Sequence, residues 1–463
     1  MSVISGWLVP HPPLIFPEVG RGKQELIADT VAAYRMMASE IAAEAPGCVV
    51  IVSPHSHMYA DYIHISPGKG AEGDMRSFGV KNVIIHADYD TEFVDALTLE
   101  CSDAGIPAGT FGERESNLDH GTSIPVRFIN DAYSNAKFVR VGVSGLPLTE
   151  HYRFGQIIAK TAEQLGRKTV VIASGDLSHK LSYEGPYGYA PEGPEFDKII
   201  CETAEDADFS RLLNMEGVLC EKAGECGHRP LVVMAGALDR KAVRSKLYSY
   251  EGPFGVGYAV ASFIKSGDDE NRDFLDKYIE ESKYRAEERK TNESPHVALA
   301  RQTLESYVKT GRLYKCPEPL SDELAKERAG VFVSIKKHGE LRGCIGTISP
   351  VTENIGEEIR SNAISAGTRD PRFEAITEDE LPLLEYSVDV LAPAEQIESA
   401  DELDPARYGV IVSLNGKRGL LLPDLEGIDD TETQISIAMR KAGIAERDRQ
   451  RVKLERFDVI RYR

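Results

Sequence analysis

The chain has 463 residues, 42% of them hydrophobic and 28% charged, with a formal net charge of −20. That length predicts two domains rather than one core. The acid excess excludes a broad nucleic-acid surface, which needs clustered Lys and Arg to displace counterions, and disfavours docking to an anionic membrane.

Up to residue 265, short apolar runs alternate with helical stretches. Strands are expected at Trp7–Val9, Cys48–Ser53, Val83–His86, Phe138–Val143 and Thr169–Ala173, with helices at Lys23–Ala45 and Gly155–Leu165 between them. Such alternation predicts an α/β domain over 1–265 with a mainly parallel central sheet and helices on both faces, closed by a late hairpin around 248–264. Residues 266–292 are heavily charged and read as a linker or solvated helix. From 293 to 463 strands (Gly330–Ile335, Tyr386–Val390, Gly409–Leu414, Gly419–Leu422) mix with helices (Asn354–Ala366, Thr431–Lys441), which predicts a smaller α+β domain.

Seven cysteines lie scattered with no CxxC pair. An odd, dispersed count fits a reducing, cytoplasmic setting. The start, MSVISGWLVPHPP, lacks the basic and apolar regions of a signal peptide, and no apolar run reaches the roughly 18 residues of a membrane span. Self-association is left open, so a homo-oligomer is compatible with the sequence.

Nine of the eleven histidines fall within the first 228 residues. Three share one setting, an apolar strand followed by a turn: WLVPH (His11), VVIVSPH (His55) and VVIASGDLSH (His179). In open α/β sheets the ligand crevice lies beyond the carboxyl ends of the strands, so these imidazoles have a common destination. His120, in NLDHGTSIP, has the same rim within reach from a loop. One strand-end histidine is ordinarily a hydrogen-bonded loop residue; four in similar settings bring a shared site level with that bland reading. In KAGECGHRPL, Glu225 and Cys226 precede an apolar helix, whose positive end favours an anionic side chain. Two imidazoles and one carboxylate on an ion leave open positions, as in non-haem Fe(II) oxygenases; the plainer alternative is a helix-capping acid.

In order, VPHPPLIFPEVG, VSPHSHMYAD, LDHGTSIPV, SGDLSHKL and AGECGHRPL resemble the class III extradiol ring-cleavage dioxygenases and the related Memo proteins. The resemblance implies His11, His55 and Glu225 as Fe(II) ligands, with Zn as the alternative metal. It also implies His179 as the base toward a catechol and His120 as the residue contacting substrate or oxygen. The expected partners are then a small aromatic substrate and dioxygen. Memo-like relatives carry Cys near this helix, which makes Cys226 the alternative third ligand. Because consecutive helical residues point about 100° apart, only one of the two is expected to face the ion. Glu225 is the expected one.

Farther on, GELRGCIGTISP, GTRDPRFEAI, YSVDVL and GLLLP resemble the AMME chromosomal-region protein family. Here Arg342 is a candidate anion clamp and Cys344 a candidate nucleophile, although a cysteine between Gly and Ile is more often a small buried residue. Arg369, Asp370 and Arg372 form either part of a site or a local turn. A fusion of two such domains resembles the AmmeMemoRadiSam systems and implies a radical-SAM partner. The leading expectation is an Fe(II)-dependent extradiol dioxygenase. The alternative is a Memo-like metal-binding or modifying module that performs no ring cleavage.

Overall fold

Runs of β-branched residues build the centre of the first sheet. The computed structural model describes residues 2–315, 319–337, 340–425, 428 and 430–463; Cys316 and His338 lie outside them. Its contacts divide the chain into a first unit ending at Glu280 and a second from Glu281 to Arg463.

The first unit carries strands β1 (Val3–Val9), β2 (Cys48–Val52), β3 (Ile63–His64), β4 (Gly70–Met75), β5 (Val80–Asp88), β6 (Ala108–Gly109), β7 (Phe138–Val141), β8 (Thr169–Ser174), β9 (Lys241–Glu251) and β10 (Tyr258–Asp268). Six of them form one sheet in the order β7-β2-β8-β1-β10-β9. The first four run parallel, and β10 and β9 add an antiparallel hairpin at one edge. Every residue of β2 and β8 is buried, as expected of strands covered on both faces.

Successive residues alternate between two cores. Val50, Val52 and Val171 face helices α4 (Leu148–Gln164), α5 (Glu192–Asp206) and α7 (His228–Ala237). Val49, Ile51 and Ile172 face α1 (Ala28–Glu44) and α3 (His120–Ala132). Helix α2 (Thr91–Asp103) packs on the first of these layers and α6 (Gly217–Ala223) precedes α7.

The segment Val83–His86, expected in the central sheet, belongs to β5, which pairs antiparallel with β4 in a separate two-stranded sheet. Its residues alternate buried and exposed, the pattern of a strand with one wet face, so it is unsuited to a sheet buried on both sides. The charged stretch after residue 265 ends β10 and then forms helix α8 (Phe274–Asn292). Phe274, Leu275 and Ile279 anchor its first turns on the first unit's core.

In the second unit, β11 (Gly330–Lys337), β12 (Glu340–Gly346) and β13 (Leu384–Leu391) are followed by β14 (Glu395–Ile397), β15 (Gly409–Leu414), β16 (Lys417–Leu421), β17 (Lys453–Phe457) and β18 (Val459–Tyr462). They form two antiparallel four-stranded sheets, β12-β11-β13-β18 and β14-β17-β15-β16. Helix α9 (Pro295–Thr310) begins at Ser294, whose hydroxyl accepts the Val297 N–H, a Ser–Pro start suited to a helix N-terminus. With α10 (Ile355–Thr368) it covers the first sheet through Leu304, Ile359 and Ala363. Helix α11 (Thr431–Lys441) covers the second through Ile435 and Met439.

Candidate metal centre

Strands β2, β8 and β1 are adjacent and parallel, so their carboxyl ends open on one rim. His11 follows β1, His55 follows β2, and Asp176 and His179 follow β8. His55 Nε2 stands 2.9 Å from His11 Nε2, and Cys226 Sγ lies 3.5 Å from that same nitrogen. His11, His55 and Cys226 form a group whose ligand atoms all lie within 4.8 Å of one another. His11 is buried, Cys226 half-buried, and His55 solvent-exposed where it lines a cavity.

His120 and His179 border this group. The His120 ring lies 4.1 Å from that of His55 and 5.2 Å from that of His11, centroid to centroid. His179 Nε2 is 3.9 Å from Cys226 Sγ, and its ring stacks on Tyr187 at 5.2 Å.

Glu225 departs from the expectation. It and Cys226 lie in the loop between α6 and α7, and its carboxylate turns away from His11 and His55 to accept the His228 N–H at 2.7 Å. The carboxylate thus satisfies an otherwise orphaned donor at the start of α7, and the thiol of Cys226 takes the place beside the imidazoles. Glycine packing brings the loop this close. A Cβ on Gly175, at the end of β8, would stand 2.2 Å from Gly227 Cα; only a glycine contact lets the two backbones approach so nearly.

Hydrogen bonds set the tautomer of His11. Ser174 Oγ donates to the Gly121 carbonyl at 2.6 Å, so it is left to accept from His11 Nδ1 at 3.0 Å. The proton therefore sits on Nδ1, and Nε2 turns a lone pair toward His55 and Cys226. A metal-ligating histidine has this outer-shell arrangement. Burial lowers the pKa of His11, of His55 and of His179, and it lowers His120, with help from His55 and His11, to about 3. All four imidazoles are thus neutral, the form in which histidine binds metal. Burial also pushes the Cys226 thiol up and Asp176 up to about 6. Asp176 Oδ1 accepts the His11 N–H at 2.7 Å, and the Asp176 N–H donates to Cys226 Sγ at 3.3 Å.

The donor set fits a divalent ion. Bonds of about 2.0–2.1 Å to nitrogen and about 2.3 Å to sulfur place donors roughly 2.9–3.6 Å apart across right to tetrahedral angles. The two spacings from His11 Nε2 are 2.9 and 3.5 Å, and all three donors lie within 4.8 Å of one another. Two imidazoles and a thiolate suit Zn2+ or another borderline metal better than Mg2+ or Ca2+.

Asp119 and Arg140 escaped the sequence reading. Asp119 caps α3 through the Thr122 N–H at 2.9 Å, accepts from Ser53 Oγ at 2.6 Å, and pairs with Arg140 Nη2 at 3.2 Å. Both side chains are buried. Burial acts to raise Asp119, but Arg140 and these hydrogen bonds outweigh it and hold the carboxyl below its usual range. The network fixes the start of α3 and hence His120. Its sequence signal was an arginine inside the strand FVRV. Above the site, a cavity of about 650 Å3 is lined by His55, His120, Met58, Arg76 and Phe78, with one wall from the β4–β5 hairpin.

The second unit's candidates are engaged elsewhere. Arg342 is bidentate on Glu380, at 3.1 and 3.0 Å, so the expected anion clamp already holds a carboxylate. The Cys344 N–H donates to Asp370 Oδ2 at 2.9 Å, and Ser334 Oγ donates to Cys344 Sγ at 3.2 Å. Arg372 grips Asp370 at 2.9 and 2.7 Å, and Arg369 closes α10 as its C-terminal cap.

An imidazole pair with a thiol at the carboxyl ends of adjacent parallel strands marks a metal-binding α/β protein. Residues 5–261 match the family described as the catalytic LigB subunit of aromatic ring-opening dioxygenase, and the chain belongs to that family. Residues 297–462 match AMMECR1, so the chain joins the two domains. A protein of Clostridium acetobutylicum is 39% identical over 100% of both chains. One from Thermotoga maritima is 48% identical over 37% of this chain and 98% of its own. Among solved structures, an uncharacterized Pyrococcus horikoshii protein is 32% identical, covering 36% of this chain and 88% of its own at a TM-score of 0.34. An uncharacterized Escherichia coli protein is 14% identical, covering 56% and 99% at 0.39. Among the described residues no helix is long and apolar enough to cross a membrane.

Proposed function

We propose that the first unit is a Memo-like metal-binding module that acts without ring cleavage, binding or modifying a partner, with His11, His55 and Cys226 as the ligands. The observation that carries this reading is the exchange of roles between neighbours: Cys226 faces the two histidines while Glu225 caps α7. Oxygen-activating Fe(II) is ordinarily served by a carboxylate beside two histidines, and a thiolate next to oxygen risks its own oxidation.

The ion would act as a Lewis acid there. His120, which lines the cavity, and His179, beside Cys226, would accept or hold protons of a bound group, and Asp176 orients the backbone of His11. The cavity volume suits a small molecule or a single side chain of a partner. The joined AMMECR1 domain supports an accessory role beside a radical-SAM enzyme, in the cytoplasmic setting that the scattered cysteines suggest.

Anaerobically purified protein is expected to carry a divalent metal and to take up no oxygen with a panel of catechols. Stoichiometric oxygen uptake with ring opening would restore the dioxygenase reading, for which His120 and His179 beside the ligands are the supporting features.

A further inference from the structure

Behind the first group lies a second one of different composition. Cys220 in α6, Glu225 in the connecting loop and His228 at the start of α7 place one sulfur, one oxygen and one nitrogen all within 4.8 Å of one another. Cys220 Sγ stands 3.4 Å from His228 Nδ1. An ion bonded to sulfur at about 2.3 Å and to nitrogen at about 2.05 Å spaces those donors roughly 3.6 Å apart at a tetrahedral angle.

The histidine is prepared for this. His228 is buried, and Nε2 lies 2.7 Å from the Leu212 carbonyl, which can only accept. The proton is therefore on Nε2, and the lone pair of Nδ1 points at Cys220. A ring N–H anchored on a backbone carbonyl, with the other nitrogen aimed at further ligand atoms, is the outer-shell signature of a metal-bound imidazole. Glu225 is oriented as well, because its Oε2 accepts the His228 N–H at 2.7 Å.

We infer that Cys220, Glu225 and His228 form a second metal site, for Zn2+ or a similar borderline divalent cation. The sulfur–nitrogen–oxygen set excludes Mg2+ and Ca2+ as the preferred ions. Binding converts the Cys220 thiol to thiolate and releases its proton to solvent, with no redox change. The site clamps α6 to α7 across the loop that carries Cys226, so it steadies a ligand of the first site. This inference goes beyond the proposed function and does not require it.

The test is titration of metal-free full-length protein with Co2+, reading the number of tight equivalents and the thiolate-to-cobalt charge-transfer band. Wild type is expected to take two equivalents, each adding one thiolate band. Cys220→Ser should take one equivalent with half the band, and Cys226→Ser should do the same through the other site. The band left in Cys226→Ser keeps the test decisive even if Cys220→Ser fails to fold. One equivalent in wild type, with count and band unchanged by Cys220→Ser, would overturn the second site and leave a thiol–imidazole hydrogen bond. If Cys226→Ser changes nothing while Cys220→Ser removes an equivalent, the first site fails and the second stands.

Discussion

The two units differ in what sets the acids singled out in each. In the first, burial dominates several ionisable groups: it pushes Asp197 and Glu225 up to about 7, and lowers His64, His151 and His228 to about 4. In the second, two carboxylates are kept charged by cationic partners. Burial acts to raise Glu380, but Arg342 and Lys337 hold it at about 2, and Arg372 holds Asp370 well below the usual carboxylate range. Groups shifted by desolvation in a cleft are candidates for chemistry, while groups shifted by a partner are more often structural. On that criterion the first unit is the better candidate for a site, while Arg342 and Asp370 are each engaged in an ion pair.

The largest test of this contrast is a deeply buried charge pair of the first unit, Arg140 with Asp119. Arg140→Met leaves Asp119 without its partner and should cost about 3–5 kcal/mol. Trp7, the chain's one tryptophan and 1% exposed, reports the first unit in a denaturant titration. A loss below about 1 kcal/mol would mean that Ser53 and Thr122 suffice to hold Asp119.

Asp197 tests the desolvated class. It accepts the Ser178 N–H and the Tyr250 hydroxyl, both at 2.7 Å. Because its folded pKa is raised, the stability it contributes is full below about pH 4 and is lost as pH rises through about 7, by up to about 4 kcal/mol. Asp197→Asn lacks that loss, so its stability relative to wild type should climb between pH 4 and 8. A flat difference would mean that Asp197 is ionised in the folded protein.

Metal binding comes next. Cys226→Ser should weaken the ion shared with His11 and His55 by more than the roughly 10–100-fold that outer-shell partners are worth. Equilibrium competition with a chelator, in a Cys220→Ser background, measures it. Unchanged affinity would remove Cys226 from the ligand set.

The smallest effect belongs to the paired class. Glu380→Gln should cost about 1–2 kcal/mol at pH 7, discounted for solvent access. A carboxylate with a depressed pKa contributes stability above about pH 4.5 and loses it as pH falls through about 2, so the cost should vanish in acid. Hydrogen exchange over residues 281–463 follows it. The pH trends of Asp197 and Glu380 are thus opposite in sign, and matching trends would dissolve the contrast between the units.

Local chemistry sufficed for much of this. Uninterrupted apolar runs such as VVIV and TVVIAS are short and wholly buried, so their place in a two-sided sheet could be read directly. Each such strand is followed by a turn and a histidine, which directs His11, His55 and His179 to one rim. The β5 segment misled because an apolar run does not state its partner: VIIH pairs with β4, and its hairpin walls the cavity instead of extending the sheet. Asp119 and Arg140, 21 residues apart, meet only because α3 starts over the rim that follows β7.

The amino-acid sequence by itself determined two domains, their classes and the convergence of the histidines, because period, turn chemistry and strand length are properties of adjacent residues. Only the tertiary structure decided between Glu225 and Cys226. As neighbours in the chain they are equally available to the site, and the choice rests on the contact between Gly175 and Gly227 and on the His228 N–H that claims the carboxylate. The first joins segments distant in the chain, which no local pattern encodes, whereas the second is a local cap three residues long that tells where the carboxylate goes only once the loop is in place.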